Sequence, residues 1–498
     1  MLVRGILVDA YSFSLVLKSC SRLKLLNKGM QIHGLISKFD FGSDVFLRNC
    51  LICLYIRCGV VQFGRQVFDR MREKDSFSYN LMIDGYVKRG MVSLARELFD
   101  AMPLEMKNLV SWNTMISGYV KLDGGFECAK DLFNEMPERD LVSWNLMIDC
   151  CAKNGKMGLA QLLFDRMSER DVVSWATMVD GHAKMGNIDV ARGFFDAMPQ
   201  RDVISCNAMM AGYVNNGRYQ EALKVFHDMI SGSRFDLAPD TVSLLSVLSA
   251  ITQLGCIHEG IAIHSYMQAH GFSTSGNLGV ALVDMYAKCG SIEQAMHVFE
   301  GIPEKNIDHW NAMIGGLAIH GLGDLAFELF MEMERRSIKP DDITFIAVLH
   351  ACGHSGMVKE GLVCFEIMRR FHKIVPKLQH YGCIVDILSR AGYVQVAAKF
   401  VKEMPIKPNH VVWRTLLSAC TNHENLILGE PLAKHLIEMD SYDSSSYILL
   451  SNMYAQFGLW DHVRRVRTIM KERDLNKIPG CSLIELEGTV LEFFVGST

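Results

Sequence analysis

Apolar residues in the stretch Leu141–Asp171, LVSWNLMIDCCAKNGKMGLAQLLFDRMSERD, fall into two short stripes separated by a polar turn. Trp144, Met147, Ile148 and Cys151 stand at i, i+3, i+4 and i+7, which is one face of a helix. Asn154-Gly155 breaks the pattern, and Gly155 suits the left-handed residue that ends a helix. Ala160, Leu163, Phe164 and Met167 repeat the spacing, and Ser168 to Asp171 close the unit. Two amphipathic helices of this length cannot bury their own apolar faces, so the pattern predicts neighbours of the same kind.

The chain supplies them. Phe68, Phe99, Phe133, Phe164, Phe195 and Phe226 are spaced 31, 34, 31, 31 and 31 apart, and Phe299 to Phe330 is 31 again. Tyr79-Asn80, Trp112-Asn113, Trp144-Asn145, Trp175-Ala176, Cys206-Asn207 and Trp310-Asn311 recur in the first helices. A tandem array of helix–turn–helix units, an α-solenoid with a superhelical groove, follows. The units divide at 10–44, 45–75, 76–108, 109–140, 141–171, 172–202, 203–240, 241–275, 276–306, 307–341, 342–377 and 378–409. Proline ends the second helix of two longer ones, in Ala-Pro-Asp at 238–240 and Lys-Pro-Asp at 339–341. Residues 410–443 and 444–477 still read as helical pairs, the last ending in a basic helix, Arg464 to Lys477. After Pro479-Gly480 the pattern alternates. Leu483, Glu485 and Glu487 oppose Ile484 and Leu486, Gly488 turns the chain and Val490 to Val495 returns, which predicts a short β-hairpin.

Composition changes this picture little. Hydrophobic residues make up 49% of 498 residues, as a long continuous core requires. No apolar run reaches the roughly 18 residues of a membrane-spanning helix, so no membrane contact is expected. Fifty-one Lys and Arg against 55 Asp and Glu give a net charge of −4, which argues against tight non-specific nucleic-acid binding. The 15 cysteines sit singly on helical patterns, as reduced thiols do. Arg4 precedes the repeats, but no signal-peptide apolar region or Ser/Arg-rich presequence is visible.

The recurring VSWNxMIxGYxxxGxxxxAxxLFxxMPxRD resembles the pentatricopeptide repeat (PPR). Alternating long and short units, with HACGHSG, HYGCIVDILSRAG and VVWRTLLSAC in that order, resemble the PLS class of plant organelles. Residues 410–477 resemble its E domain, and IPGCSLIELEG resembles the start of the E+ extension, 478–498. Details in 307–377 are similar to chloroplast editing factors of the chlororespiratory-reduction type. The resemblance implies an all-α fold: a right-handed α-solenoid of twelve tandem PPR repeats over 10–409, then the E domain and a short C-terminal β-hairpin.

The family binds single-stranded organellar RNA, one base per repeat. It reads the base through the fifth residue of the first helix and the last residue of the unit. A side-chain amide both donates and accepts, so it can meet a pyrimidine's Watson–Crick edge while apolar neighbours sandwich the base. On this resemblance Asn49 with Asp75, Asn113 with Asp140, Asn145 with Asp171, Asn207 with Asp240 and Asn311 with Asp341 are uridine-preferring pairs. Asn80 with Asn108 is a general pyrimidine reader. Ala176 with Asp202, Val280 with Asn306 and Gly382 with Asn409 depart from known combinations, and Ser14, Leu245 and Ile346 are assigned no base. The implied target from the unit at 45, 5′ to 3′, is U, pyrimidine, U, U, any, U, any, any, U, any, any. An edited cytidine follows a few nucleotides downstream.

Each Asp and Asn also has a plainer reading, since a unit's last Asp is a good N-cap for the next helix. Capping accounts for the Asp; nothing in the pattern accounts for the Asn. Cys50-Leu-Ile-Cys53 with Cys58 lacks the matched second half of a zinc or redox site, and Cys58 is a repeat position matched by Cys289. His350 and His354 lack the intervening Glu of a zincin motif. The basic helix reads as a solvated face, and the Met-rich faces as core. Cytidine deamination needs H-x-E with a downstream P-C-x-x-C, and the segment up to Thr498 has neither.

The sequence therefore predicts a non-enzymatic site-recognition factor for C-to-U editing, with no cofactor. Its partners are a pyrimidine-rich organellar RNA, a DYW-type deaminase supplied in trans and accessory editing factors. The compartment expected is the plastid, with the mitochondrion as alternative. Leu483 stands where the family usually has Trp. The rival readings are an RNA stabilisation, processing or translation factor, and a protein-binding scaffold.

Overall fold

A computed structural model describes residues 9–39, 44–231, 237–475, 481–486 and 489–494. Among them run 28 α-helices, α1 (Ala10–Arg22) to α28 (Trp460–Glu472), and two strands. Residues 1–217 and 218–498 form two compact bodies. In each, short helices joined by tight turns form an α-solenoid, as the periodicity requires, and the second also carries the two strands.

Local chemistry sets the helix boundaries. In the unit at 141–171, Asp140 caps α9 (Leu141–Lys153) by accepting from Ser143 N at 2.8 Å. Gly155, at φ +68°, lets the Lys156 N–H reach back to the Cys151 carbonyl at 2.9 Å and end the helix. The second helix, α10 (Met157–Arg166), follows at once. Arg170 closes its far end, donating from Nε to the Phe164 carbonyl at 2.9 Å and from Nη2 to the Asp165 carbonyl at 3.1 Å. The same guanidinium lies 4.8 Å over the Phe164 ring. Arg139 and Arg201 repeat this closure at their own units. The R of each M-P-x-R-D signature is thus a C-terminal helix cap.

Both apolar stripes are buried, with Trp144 half-buried. In contact with α10 of its own pair, α9 also packs against the first helices on either side, α7 (Leu109–Val120) and α11 (Val172–Lys184). Gly181 on α11 permits that approach, because a Cβ there would sit 2.9 Å from Ala152 Cβ. Between units, the second-helix Phe meets the next first-helix aromatic edge to face. Phe99 and Trp112, Phe133 and Trp144, and Phe164 and Trp175 lie 4.8, 5.1 and 4.9 Å apart. The period read from phenylalanine spacing is the period of this contact.

Four helices follow residue 409: α25 (His410–Asn422), α26 (Leu426–Met439), α27 (Ser444–Gln456) and α28. The hairpin pairs β1 (Cys481–Leu486) with β2 (Thr489–Phe494) antiparallel, from Cys481 opposite Phe494 to Leu486 opposite Thr489. The expectations placed on Arg4, Lys477, Pro479-Gly480, Glu487, Gly488, Val495 and Thr498 lie outside the described residues. Among the described residues, no helix is long and apolar enough to cross a membrane.

Candidate nucleic-acid interface

The sequence-selected fifth and last residues come together wherever both lie in one body and both carry a polar side chain. Asn49 Nδ2 donates to Asp75 Oδ1 at 3.4 Å, Asn113 to Asp140 at 3.0 Å, Asn145 to Asp171 at 3.1 Å and Asn311 to Asp341 at 3.2 Å. Asn80 Nδ2 donates to Asn108 Oδ1 at 3.1 Å. Asp202 and Asn306 cap their helices, accepting from Ser205 N at 2.8 Å and His309 N at 3.2 Å. Their partner positions, Ala176 and Val280, offer no polar atom. Asn207 lies on α13 (Val203–Asn215) and Asp240 caps α15 (Thr241–Leu254), in different bodies.

The cap oxygen is shared. Asp171 Oδ1 accepts from Asn145 Nδ2, from Ser174 N at 2.8 Å and from Ser174 Oγ at 2.7 Å. Asp75 and Asp140 do the same with Ser78 and Ser143. Burial pushes the three carboxyls up, but the serine hydroxyl, the serine N–H and the asparagine amide together hold each below the ordinary aspartate value. All three are carboxylates at neutral pH and only accept. That fixes the orientation of the facing asparagines, whose nitrogens turn toward the carboxylate. The carboxamide oxygens of Asn49, Asn113 and Asn145 point inward, buried and without a partner. Asn80 differs: Ser111 Oγ donates to its oxygen at 2.6 Å. Thr344 Oγ1 donates likewise to Asn311 at 2.6 Å.

The asparagine is therefore not structurally idle, contrary to the expectation from pattern alone. It ties the first helix of one unit to the N-cap of the next. Sequence spacing missed the third member of the group, the hydroxyl at the third residue of the following first helix. Ser78, Ser111, Ser143, Ser174, Ser205, Ser243 and Thr344 hold that place and are fully buried, and their recurrence in V-S-W was the available signal.

A second feature left unnamed in the sequence lies beside the pairs. The second residue of successive first helices is apolar and exposed: Phe46, Phe77, Val110, Val142, Val173 and Ile204, each more than half exposed. A groove of about 400 Å³ lies over Asn113 and Asp140 with Val110 and Val142 on its flanks. Lys88 and Lys121 line it too. Lys88 is held by Asp84 at 2.6 Å, and Lys153 and Lys184 are held by Asp149 and Asp180 at 2.7 and 2.6 Å. In the C-terminal body the second residues of the units 276–306, 307–341 and 378–409 are the polar Asn277, Asp308 and Gln379, which breaks the ladder. At Gly382 the missing side chain opens a cavity of about 440 Å³, lined also by His350, His354 and Asn409. The two histidine rings lie edge to face at 5.5 Å, and burial followed by the neighbouring His354 holds His350 below the usual histidine value. Cys50, Cys53 and Cys58 carry free thiols. Among the described residues, no group of three or more His, Cys, Asp or Glu is placed to hold a metal ion.

Residues 47–76, 77–105, 110–141, 142–172, 173–203, 280–307 and 343–372 match the PPR repeat. Residues 201–235 and 305–354 match the PPR repeat family, and 423–485 the E motif. Pentatricopeptide repeat-containing protein At2g45350, chloroplastic, from Arabidopsis thaliana is 62% identical over 497 residues, covering 100% of this chain and 81% of that protein. The chain belongs to the pentatricopeptide-repeat family. Repeats followed by an E motif are consistent with the E subgroup of its PLS class. Arabidopsis thaliana At5g48910, of the same family, is 36% identical over 98% of this chain and 62% of its own length. The crystal structure of the maize pentatricopeptide repeat protein PPR10 shares the fold, with TM-score 0.57 and 19% identity over 96% of this chain and 71% of that one. PPR10 in complex with an 18-nt psaJ RNA element gives TM-score 0.53 and 17% identity, over 95% of this chain and 80% of that one.

Proposed function

We propose that this protein is a sequence-specific, single-stranded RNA-binding factor of the plastid. It selects a site for C-to-U editing and recruits a DYW-type deaminase in trans. The observation that carries the RNA-binding reading is the repeated pair of a first-helix asparagine and a cap residue sharing one oxygen. With Oδ1 of Asp75, Asp140 and Asp171 taking three donors each, the other carboxylate oxygen remains to accept. The asparagine nitrogen keeps a second hydrogen to donate. Uracil offers the complement, a carbonyl oxygen beside an N3–H, whereas cytosine has no N3–H to give. At Asn80 with Asn108 the cap oxygen is taken in the same way, so the Asn108 amide nitrogen is left to donate, which can meet cytosine N3 or a uracil carbonyl and so suits either pyrimidine. The exposed second residues sandwich the bases. Lysines held by aspartates suit recognition through base edges more than through phosphate.

The family membership, the chloroplastic relative and the RNA complex of PPR10 support this reading. We take 10–409 as twelve repeats, 410–477 as the E region and 478–498 as the start of the E+ extension. The E region and the hairpin are the recruiting surface, and a backbone edge of the two-stranded hairpin would accept a strand from the partner. Accessory editing factors join the same assembly. The test is to remove the gene and sequence plastid and mitochondrial transcripts. Loss of editing at one or a few cytidines, each a few nucleotides downstream of a match to U, pyrimidine, U, U, any, U, is the expected result. Full editing at every site, with one transcript lost or mis-processed, would instead make the protein a stabilisation or processing factor.

A further inference from the structure

A cavity of about 400 Å³ opens where the unit 378–409 meets residues 410–443, between α23 (Leu378–Arg390), α25 and α27. Its lining repeats, place for place, that of the groove over Asn113. Asp386 and Arg390, ion-paired at 2.8 Å, stand where that groove has Asp84 and Lys88, ion-paired at 2.6 Å. Val411, a second residue and more than half exposed, stands for Val110, and Leu449 stands for Leu146. The place of Asn113 is taken by Arg414, the fifth residue of 410–443. The last residue of that stretch is Asp443, which caps α27 by accepting from Ser445 N at 3.2 Å. Ser446, third in α27 and fully buried, donates to it from Oγ at 2.8 Å. Fifth residue, cap and third-residue hydroxyl therefore recur in a segment whose sequence no longer carries the repeat signature.

The two sites differ in what they offer. Asn113 gives one amide hydrogen to its cap and turns its oxygen inward. Arg414 makes no ion pair among the described residues, and its side chain donates from Nη1 to Ser445 Oγ at 3.2 Å. A guanidinium carries five N–H donors and no acceptor, so most of its hydrogens remain to donate. Burial pushes the Asp443 carboxyl up, but the Ser445 and Ser446 hydroxyls, the Ser445 N–H and the Arg414 charge hold it below its ordinary value. Ser389 adds a second group. It lines the cavity in the place of Val87, is 3% exposed, and its Oγ is buried without a hydrogen-bond partner. A buried hydroxyl in that state is costly unless something entering the cavity meets it.

We propose that this cavity binds the RNA nucleotide immediately 3′ of those faced by the eleven units from 45 to 409, and that Arg414 selects guanine or cytosine there. The proposal rests on the RNA-binding reading above. A group that only donates needs two adjacent acceptors on the base edge. Guanine presents O6 beside N7, and cytosine presents N3 beside O2. Adenine and uracil place an N–H beside each acceptor on their Watson–Crick and Hoogsteen edges, so one guanidinium hydrogen would face another hydrogen. The cavity adjoins the one at Gly382, sharing Asp386 and Val411 with it, so the row continues without a gap. Residues 410–443 are then a reading head as well as part of a recruiting surface.

The test measures binding of the full chain to RNAs that carry the predicted site and each of the four bases at the next position. Guanine and cytosine are expected to bind about tenfold tighter than adenine and uracil. 7-Deazaguanine, which lacks the N7 acceptor, should fall to the affinity of adenine. Arg414→Gln should erase the preference and leave the uridine preference opposite unit 141–171 within about twofold. Arg414→Lys, which keeps the charge but not the fork, should also bind all four bases alike. Equal affinity for the four bases in the wild type, with the uridine preference opposite 141–171 intact, overturns this inference and leaves the RNA-binding reading standing. A uniform loss of affinity in Arg414→Gln, with the base preference kept, overturns it too, since the arginine would then serve the RNA backbone. If the uridine preference is itself absent, the RNA-binding reading fails and takes this inference with it.

Discussion

Two adjacent units, 141–171 and 172–202, are built to one plan and part company at the fifth residue, Asn145 in one and Ala176 in the other. Each carries a Trp as fourth residue, a Phe in the second helix and a closing Arg over that Phe: Trp144, Phe164 and Arg170 in one, Trp175, Phe195 and Arg201 in the other. Each ends in an Asp that caps the next helix at 2.8 Å. In the first, Asn145 holds Asp171, and Ser174 Oγ turns to the same carboxylate. In the second, Ala176 leaves Asp202 without that partner, and Ser205 Oγ turns to the Asp202 backbone carbonyl at 2.9 Å. Scaffold and reading head are therefore separable. The cap is common to both units, and the amide that meets it in the first is what sets them apart.

The largest effect expected is on the scaffold. Phe164→Ala removes a buried ring from its edge contact with Trp175 and should cost about 3–5 kcal/mol. Denaturant unfolding measures it, and the loss should spread to neighbouring units because each repeat is held by the next. Next come the caps. Asp171→Ala and Asp202→Ala should each cost about 1 kcal/mol of stability. Only Asp171→Ala should also lower the preference for uridine at its nucleotide, read by binding to RNAs varied at that position. An equal loss of base preference in both would erase the distinction between the two units.

The pH dependence is smaller. The Asp171 carboxyl titrates below its unfolded value, so its stabilising contribution is complete above that value and is lost as pH falls through the lower, folded one. Uridine preference should thus be flat from pH 5 to 8, measured by RNA binding, and unfolding should become easier only in acid well below pH 4. The smallest effect is that of Ser174→Ala, which removes one of three donors to the cap oxygen and should cost about 1 kcal/mol or less. It frees that carboxylate to hold Asn145 more tightly, so base preference at this unit should persist.

Much of this was legible in the chain because it is local or periodic. Gly155, the apolar stripes and the phenylalanine period follow from spacing within one unit, and the family resemblance selected the fifth and last residues. Three things were not legible. Arg170 capping its own helix from six residues away reads in sequence as a charged tail. The bond from Asn145 to Asp171 spans 26 residues and two first helices, so no single-helix pattern contains it. The inward turn of the asparagine oxygen depends on which acceptor takes the serine proton, which only packed geometry decides. The second-residue ladder was implied as apolar neighbours, but exposure was needed to tell Val142 and Val173 from core.

The most direct test exchanges the two units' fifth residues. Affinities of the wild type, Asn145→Ala and Ala176→Asn are measured on RNAs carrying each of the four bases at the nucleotides facing units 141–171 and 172–202. Removing the amide should flatten the uridine preference at the first nucleotide by about 1–2 kcal/mol, roughly a factor of ten, and cost about 1 kcal/mol of folded stability for the lost bond to Asp171. Supplying it should create a uridine preference at the second, where Asp202 already waits in its cap. A uridine preference that survives Asn145→Ala, with none appearing in Ala176→Asn, would contradict the account.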